Sequence, residues 1–311
     1  MTKKIGIALV GLGPGSEPHI ASLHALHDRV DWRWCVSRSG APQRQRLLPG
    51  STRLTTDLDE VLADAAVDAV VLATPANTHL AIAQQVLAAG KHTLVEKPLD
   101  VSLERAEELV RIAEASKLCF GVVLQHRFRP GAVRLRELMA GGTLGELQAG
   151  MLQVPWWRSQ AGYYAKAGRG TRERDGGGVL LTQAIHSLDL FRSLVGVRKV
   201  VAAQVITTAL HTMETEDFVS ALLTLGNGAP GNLMATTAMY PGRTEVVDGD
   251  AKTGSGDSIM DFAPDAHIAL HRDFLDAITH QREPLVSGRE ALLTHRLIEE
   301  ILSAGAEDPT R

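Results

Sequence analysis

The stretch Ile5-Gly6-Ile7-Ala8-Leu9-Val10-Gly11-Leu12-Gly13-Pro14-Gly15-Ser16 opens the argument. An apolar run of strand length passes directly into glycines spaced G-x-G-x-x-S. Glycine lets the chain turn tightly and lets backbone approach a pyrophosphate, which the N-terminus of a following helix then stabilises. Such a motif carries weight only between a strand and a helix at the start of an alternating chain. That is its context here. Residues 4–10, 32–36, 67–73, 92–95 and 118–124 read as strands, with amphipathic helical patterns at 80–89 and 103–115 between them. The second helix starts at Ser102, a good N-cap. Strands alternating with helices predict a doubly wound parallel sheet covered on both faces, an α/β Rossmann fold.

The charged-then-apolar start, Met1-Thr2-Lys3-Lys4-Ile5, is read as the first strand rather than a secretion signal, because glycines punctuate it and no small-residue cleavage site follows. After residue 125 the rhythm changes. A helix at 132–140 precedes longer alternating runs at 146–154, 199–208, 217–225 and 231–238, interrupted by a helix at 178–194. Alternation of this kind predicts an open, mostly antiparallel sheet in a second, α+β domain. The expected domains are 1–125, a dinucleotide-binding domain, and 126–311, for substrate and oligomerisation. Helices at 266–279 and 288–304 end the chain, and the segment 266–304 is free to pack back on the first domain. Residues 238–263 are glycine-rich and poorly patterned, and read as a loop.

With 311 residues, two domains are the natural division. A formal net charge of −4 gives no electrostatic footprint for nucleic acid. No apolar run approaches the ~20 residues that span a bilayer. Cys35 and Cys119 sit in strand-like surroundings without metal-ligand spacing, so no metal is expected and a reducing, cytoplasmic setting is.

Ligands on such sheets bind at the carboxyl ends of the strands. Gly11, Gly13, Gly15 and Ser16 are therefore cofactor candidates. The second strand ends Cys35-Val36-Ser37-Arg38-Ser39, without the acid that reads a ribose 2′-hydroxyl. Ser37 and Ser39 can hydrogen-bond a phosphate and Arg38 can pair with a 2′-phosphate, which favours NADP(H) while leaving NAD(H) open. Thr74, Pro75 and Asn77 follow the strand ending at Ala73, and His79 would cap the next helix or pack under the cofactor. Glu96, Lys97 and Pro98 follow the next strand. Lys97 would point toward bound ligands, with Glu96 holding its ammonium or a ribose hydroxyl.

The second constellation is Gly176-Gly177-Gly178-Val179-Leu180-Leu181-Thr182-Gln183-Ala184-Ile185-His186-Ser187-Leu188-Asp189. Thr182 and His186 are four apart and share a face of a regular helix. Asp189, three beyond, is placed to orient the imidazole. Glu-Lys-Pro together with Gly-Gly-Gly…Gln-x-x-His-x-x-Asp resembles the Gfo/Idh/MocA (glucose–fructose oxidoreductase / inositol dehydrogenase) family. The resemblance extends to Gln125-His126-Arg127-Phe128-Arg129-Pro130 and to Glu216-Asp217…Gly226-Asn227-Gly228.

The resemblance implies hydride transfer between nicotinamide and a hydroxyl or carbonyl carbon of a sugar, polyol or sugar nucleotide. It implies Lys97 and His186 as the catalytic pair, and a homo-oligomer, dimer or tetramer, through the C-terminal sheet. Histidine suits the proton transfer and a lysine ammonium suits a developing alkoxide. The reverse assignment stays open. Thr182, Gln183, Trp157, Arg158, Tyr164 and Arg127 are the substrate candidates, Trp157 and Tyr164 lying in an aromatic stretch, 156–164, suited to a sugar ring. The family also contains redox-neutral, NAD-dependent glycosidases, which is one other reading; many members carry aspartate where Thr182 stands, and its loss favours a second, a non-catalytic NADP(H) sensor.

Overall fold

The computed structural model describes residues 3–38, 42–242, 244–246, 251–253 and 263–306; Ser39 lies outside them. The chain divides into two compact units, Met1–Gln125 with Phe262–Leu292, and His126–Asp261 with Leu293–Arg311.

The first unit runs β1 (Ile5–Val10), α1 (Glu17–Ala25), β2 (Val30–Val36), α2 (Pro42–Gln45), β3 (Arg53–Thr55), α3 (Leu58–Ala63), β4 (Ala69–Leu72), α4 (His79–Ala88), β5 (His92–Val95), α5 (Leu103–Ser116) and β6 (Phe120–Val122). The strands form one parallel sheet in the order β3-β2-β1-β4-β5-β6. Order reverses between β1 and β4, the point where such sheets bind ligands. β1, β4 and β5 are buried almost throughout, as a sheet covered on both faces requires. Ser102 caps α5, accepting the Arg105 N–H at 3.3 Å. Cys35 is buried and Cys119 partly so, and burial pushes each thiol up to about 12.

The second unit carries α6 (Pro130–Ala140), β7 (Gly150–Pro155), α7 (Ile185–Val195), β8 (Val197–Ile206), β9 (Phe218–Leu225), β10 (Pro230–Thr236), β11 (Thr244–Val246) and β12 (Ala251–Thr253). Four strands form a sheet in the order β7-β10-β9-β8. β10 pairs with β7 in parallel, and the other pairings are antiparallel. The register separates two faces. Gly150, Gly231, Leu223 and Val200 share a row on the face where Phe191 of α7 approaches Gly150. Met151, Asn232, Leu222 and Ala202 share a row on the other, where Met151 is 66% and Leu222 52% exposed.

Helices α8 (Asp265–His280) and α9 (Gly288–Ala306) follow. α8 and the start of α9 belong to the first unit and the rest of α9 to the second. Within 238–263, read from sequence as a loop, β11 and β12 form an antiparallel hairpin. These strands and β3 are three residues long and mostly polar, unlike the equally short but apolar β6, and so leave no strand signal. No helix among the described residues is long and apolar enough to cross a membrane.

Candidate active site

In the first unit the glycine turn lies at the switch point. Gly11 has φ +104°, and a Cβ there would sit 2.4 Å from the Ala73 carbonyl oxygen at the end of β4, so only glycine joins these two strand ends. At Gly13 and Gly15, by contrast, an added Cβ meets nothing within 4 Å. Their backbone faces open space at the start of α1, and that space suits a pyrophosphate. Ser16 is buried, and its hydroxyl donates to the Gly13 carbonyl at 2.7 Å. It closes the turn from within, a structural duty the sequence did not indicate.

At the tip of β2, Ser37 is buried with its N–H on the Thr55 carbonyl, and Arg38 is exposed. After β4, Pro75 and Asn77 are exposed and Thr74 half-buried. His79 is fully buried, its Nε2 3.0 Å from the Thr74 carbonyl and its Nδ1 3.0 Å from the Pro98 carbonyl. It ties the turn after β4 to the turn after β5.

After β5 the Lys97–Pro98 bond is cis and Lys97 is half-buried. The Glu96 carboxylate accepts the Lys97 backbone N–H at 3.1 Å and lies 2.9 Å from His19 Nε2. Burial pushes this carboxyl up, but the His19 hydrogen bond, with the charges of His19, Lys97 and His267, holds it below its ordinary value.

In the second unit the glycine run meets Glu216. A Cβ on Gly178 would lie 1.8 Å from the Glu216 carbonyl oxygen, so the close approach demands glycine. The Glu216 carboxylate accepts the N–H groups of Gly178 at 3.1 Å and Leu180 at 3.2 Å, capping the helical segment that follows. Burial pushes this carboxyl up. That segment does not begin as a regular α-helix. Leu180–Ala184 form a π-helical turn before α7, with the Thr182 hydroxyl on the Gly178 carbonyl at 2.6 Å. The i, i+4 spacing of Thr182 and His186 therefore does not carry the single-face geometry of an unbroken helix.

His186 is half-buried on the first turn of α7. Its ring lies 5.1 Å from that of His126, tilted by 34°. Arg129 donates to His126 Nε2 at 2.6 Å. A guanidinium only donates, so that nitrogen keeps its lone pair and the proton of a neutral His126 sits on Nδ1, 3.4 Å from the Ser187 hydroxyl.

Asp189 has partners other than the one its spacing suggested. Its carboxylate is fully buried and accepts Arg127 Nε at 2.6 Å, Arg127 Nη2 at 2.7 Å and the Thr294 hydroxyl at 2.7 Å. Arg127, read from sequence as a substrate candidate, has its guanidinium buried and engaged in this forked pair. Tyr164, a second substrate candidate, is also placed inside the unit. Its ring is buried against His211 and Tyr163, its hydroxyl is 2.7 Å from the Thr237 hydroxyl, and burial pushes its phenol up.

Arg158 and Gln183 come together as the sequence did not foresee. Arg158 Nε and Nη2 both lie 3.2 Å from Gln183 Oε1, and the Gln183 amide donates to the Tyr163 hydroxyl at 2.6 Å. Tyr163 also lies under the guanidiniums of Arg158, at 5.4 Å, and Arg169, at 5.0 Å. Trp157 is half-buried, its ring 5.9 Å from that of His211 and edge-on to the exposed Tyr240 at 5.5 Å. His211 in turn is held by Asp217 at 2.7 Å. His19, His126, Tyr163, His211 and Glu216 were absent from the sequence candidates. Glu216 and His126 lie in stretches that the family resemblance had marked and Tyr163 lies in the aromatic stretch 156–164, whereas His19 and His211 carried no signal.

Comparison with known proteins agrees with this picture. The model of an oxidoreductase family with an NAD-binding Rossmann fold (Gfo/Idh/MocA) matches residues 5–124. The model of the Gfo/Idh/MocA C-terminal domain matches residues 132–253. The inositol 2-dehydrogenase of Rhizobium meliloti is 26% identical, covering 99% of this chain and 98% of its own. An uncharacterised oxidoreductase of Synechocystis sp. is 27% identical, covering 87% of this chain and 77% of its own. Among solved structures, the WlbA dehydrogenase from Bordetella pertussis in complex with NADH and UDP-GlcNAcA aligns at a TM-score of 0.84 and 28% identity, over 98% of this chain and 97% of its own.

Proposed function

The chain belongs to the Gfo/Idh/MocA family of NAD-binding oxidoreductases, and on that premise we propose that it moves hydride to or from a CH–OH carbon of a sugar, polyol or sugar nucleotide. One observation carries the reading. The open backbone at Gly13 and Gly15 and the Glu96-Lys97 turn follow strands of a single parallel sheet, β1 and β5, with β4 between them.

The dinucleotide, when bound, supplies the hydride acceptor or donor. Gly11, Gly13 and Gly15 would hold its pyrophosphate, with Thr74, Pro75 and Asn77 beside it. Arg38, exposed just past the end of β2, where no acid stands, supports a preference for NADP(H) over NAD(H). In oxidation His186 accepts the hydroxyl proton and in reduction it returns it. Lys97, as an ammonium, stabilises the negative charge that develops on that oxygen. Thr182, whose hydroxyl hydrogen is on the Gly178 carbonyl, offers its oxygen as an acceptor for a substrate hydroxyl, the Arg158–Gln183 pair adds polar groups beside it, and Trp157 an apolar face for the ring. The apolar row of Met151 and Leu222 supports self-association through the open sheet face.

The test is a panel of inositols, aldoses and nucleotide-linked sugars with NADP⁺ and NAD⁺, followed at 340 nm. Turnover of at least one member is expected, with NADPH bound more tightly than NADH. No turnover of any member with either cofactor would refute the activity, and tighter NADH binding would refute the role of Arg38.

A further inference from the structure

Three imidazoles are buried behind Glu96. His19, on α1, is fully buried. Its Nε2 lies 2.9 Å from Glu96 Oε1, and its Nδ1 lies 2.9 Å from Nε2 of His271 on α8. The His271 ring packs edge-on to His19 at 5.1 Å, and that of His267, one turn earlier on α8, at 6.1 Å. Both α8 histidines are buried. Nothing in the oxidoreductase chemistry above uses this cluster, yet it ends on the residue that precedes Lys97.

The hydrogen-bond chain has a direction. An ionised Glu96 only accepts, so His19 Nε2 carries a proton. One further proton lies between His19 Nδ1 and His271 Nε2. If it belongs to His271, both rings are neutral; if to His19, that ring is an imidazolium. Burial, then the charges of His19 and His267, pushes His271 well below its ordinary value, so His271 resists becoming the cation. In either arrangement His19 donates to Glu96. The second Glu96 oxygen is then left as an acceptor for the Lys97 N–H.

We propose that His19 is a positioning residue for Lys97, acting through Glu96, with His271 and His267 as the buried support that keeps its Nε2 a donor. The proposal rests on the assignment of Lys97 to the chemistry. The groups that face Glu96 and His19 are His19 itself from α1, Lys97 from the turn after β5, and His267 and His271 from α8. Burial alone would drive the Glu96 carboxyl toward protonation. A protonated Glu96 neither accepts the Lys97 N–H as strongly nor offers the ammonium a counter-charge. Removing the His19 donor should therefore move the Glu96 titration up and carry the acid limb of turnover with it.

Two readouts test this on the full-length protein. The first is the ¹³C-carboxyl titration of Glu96 without cofactor, assigned by difference from Glu96→Gln. In His19→Phe the midpoint should rise by at least one pH unit, while His19→Gln, which keeps a donor amide, should restore it. The second is kcat against pH with the best sugar of the panel. His19→Phe should lose turnover on the acid side about tenfold earlier in proton concentration, and His19→Phe/Glu96→Gln should be no worse than Glu96→Gln alone. Should His19→Phe fail to fold, His19→Asn, whose amide stops short of Glu96, reads the same shift. An unshifted Glu96 midpoint, or additive losses in the double variant, overturns the proposal. Full turnover in Lys97→Met overturns the assignment of Lys97 and the proposal with it, whereas an unshifted Glu96 in an enzyme that Lys97→Met disables overturns the proposal alone.

Discussion

Arg127 and Asp189 form a forked ion pair, 2.6 and 2.7 Å, with both side chains shut away from solvent and Thr294 completing the carboxylate. Removing Arg127 leaves the buried carboxylate only the Thr294 hydroxyl and the more distant Arg192 guanidinium, at 3.7 Å. Arg127→Met should destabilise the chain by ~3–5 kcal/mol, lowering Tm on the order of 10 °C. Thermal denaturation checks this, and a loss below 2 °C would show that the pair is dispensable.

Gly11 and Gly13 should separate folding from binding. Gly11→Ala forces a Cβ against the Ala73 carbonyl at a positive φ and should cost ~1–3 kcal/mol of stability. Gly13→Ala meets nothing in the protein, so its Tm should match that of the parent while NADPH affinity falls by roughly tenfold, ~1.4 kcal/mol. Calorimetry and fluorescence titration read the two. Unchanged affinity in Gly13→Ala would place the pyrophosphate elsewhere.

Lys97→Met should lower kcat/KM by about 10²–10³, the loss typical of one electrostatic donor to a developing oxyanion. His186→Asn should lower it by about 10²–10⁴, the loss typical of a positioned acid–base group. Steady-state kinetics with the panel sugar tests both. A His186→Asn variant that keeps the parent kcat/KM would move the proton to another group.

The buried histidines predict acid sensitivity. His271 has its folded pKa depressed, so between the folded value and about 6.5 the unfolded chain binds the extra proton. Stability from this group is complete above pH about 6.5 and is lost as pH falls toward the folded value. Urea midpoints should therefore fall from pH 7 to pH 5, less steeply in His271→Gln. Equal slopes in the two proteins would assign the acid loss to other groups.

The strand-and-glycine grammar of the first unit was legible because it is local. Ile5–Val10, the turn at Gly11 and the residues after β5 follow one another along the chain, and their periodicities and dihedral demands are written in adjacent residues. The two short hairpin strands and β3 left no such trace. Site residues whose roles depend on distant partners were illegible for the same reason. Asp189 looked like a partner for His186, three residues away, because nothing nearby announces Thr294. His19 gave no signal at all, since its meaning lies in Glu96 and in His271 on a helix near the far end of the chain. Tyr164 and Arg127 look the same on paper whether they face a ligand or the interior.

The two native thiols, both deprotonating only near pH 12, have a practical use. Because the thiolate is the reactive form, neither should compete for maleimide or iodoacetamide at neutral pH. A fluorophore or spin label can then be attached at one engineered surface cysteine, with Cys35 and Cys119 left in place.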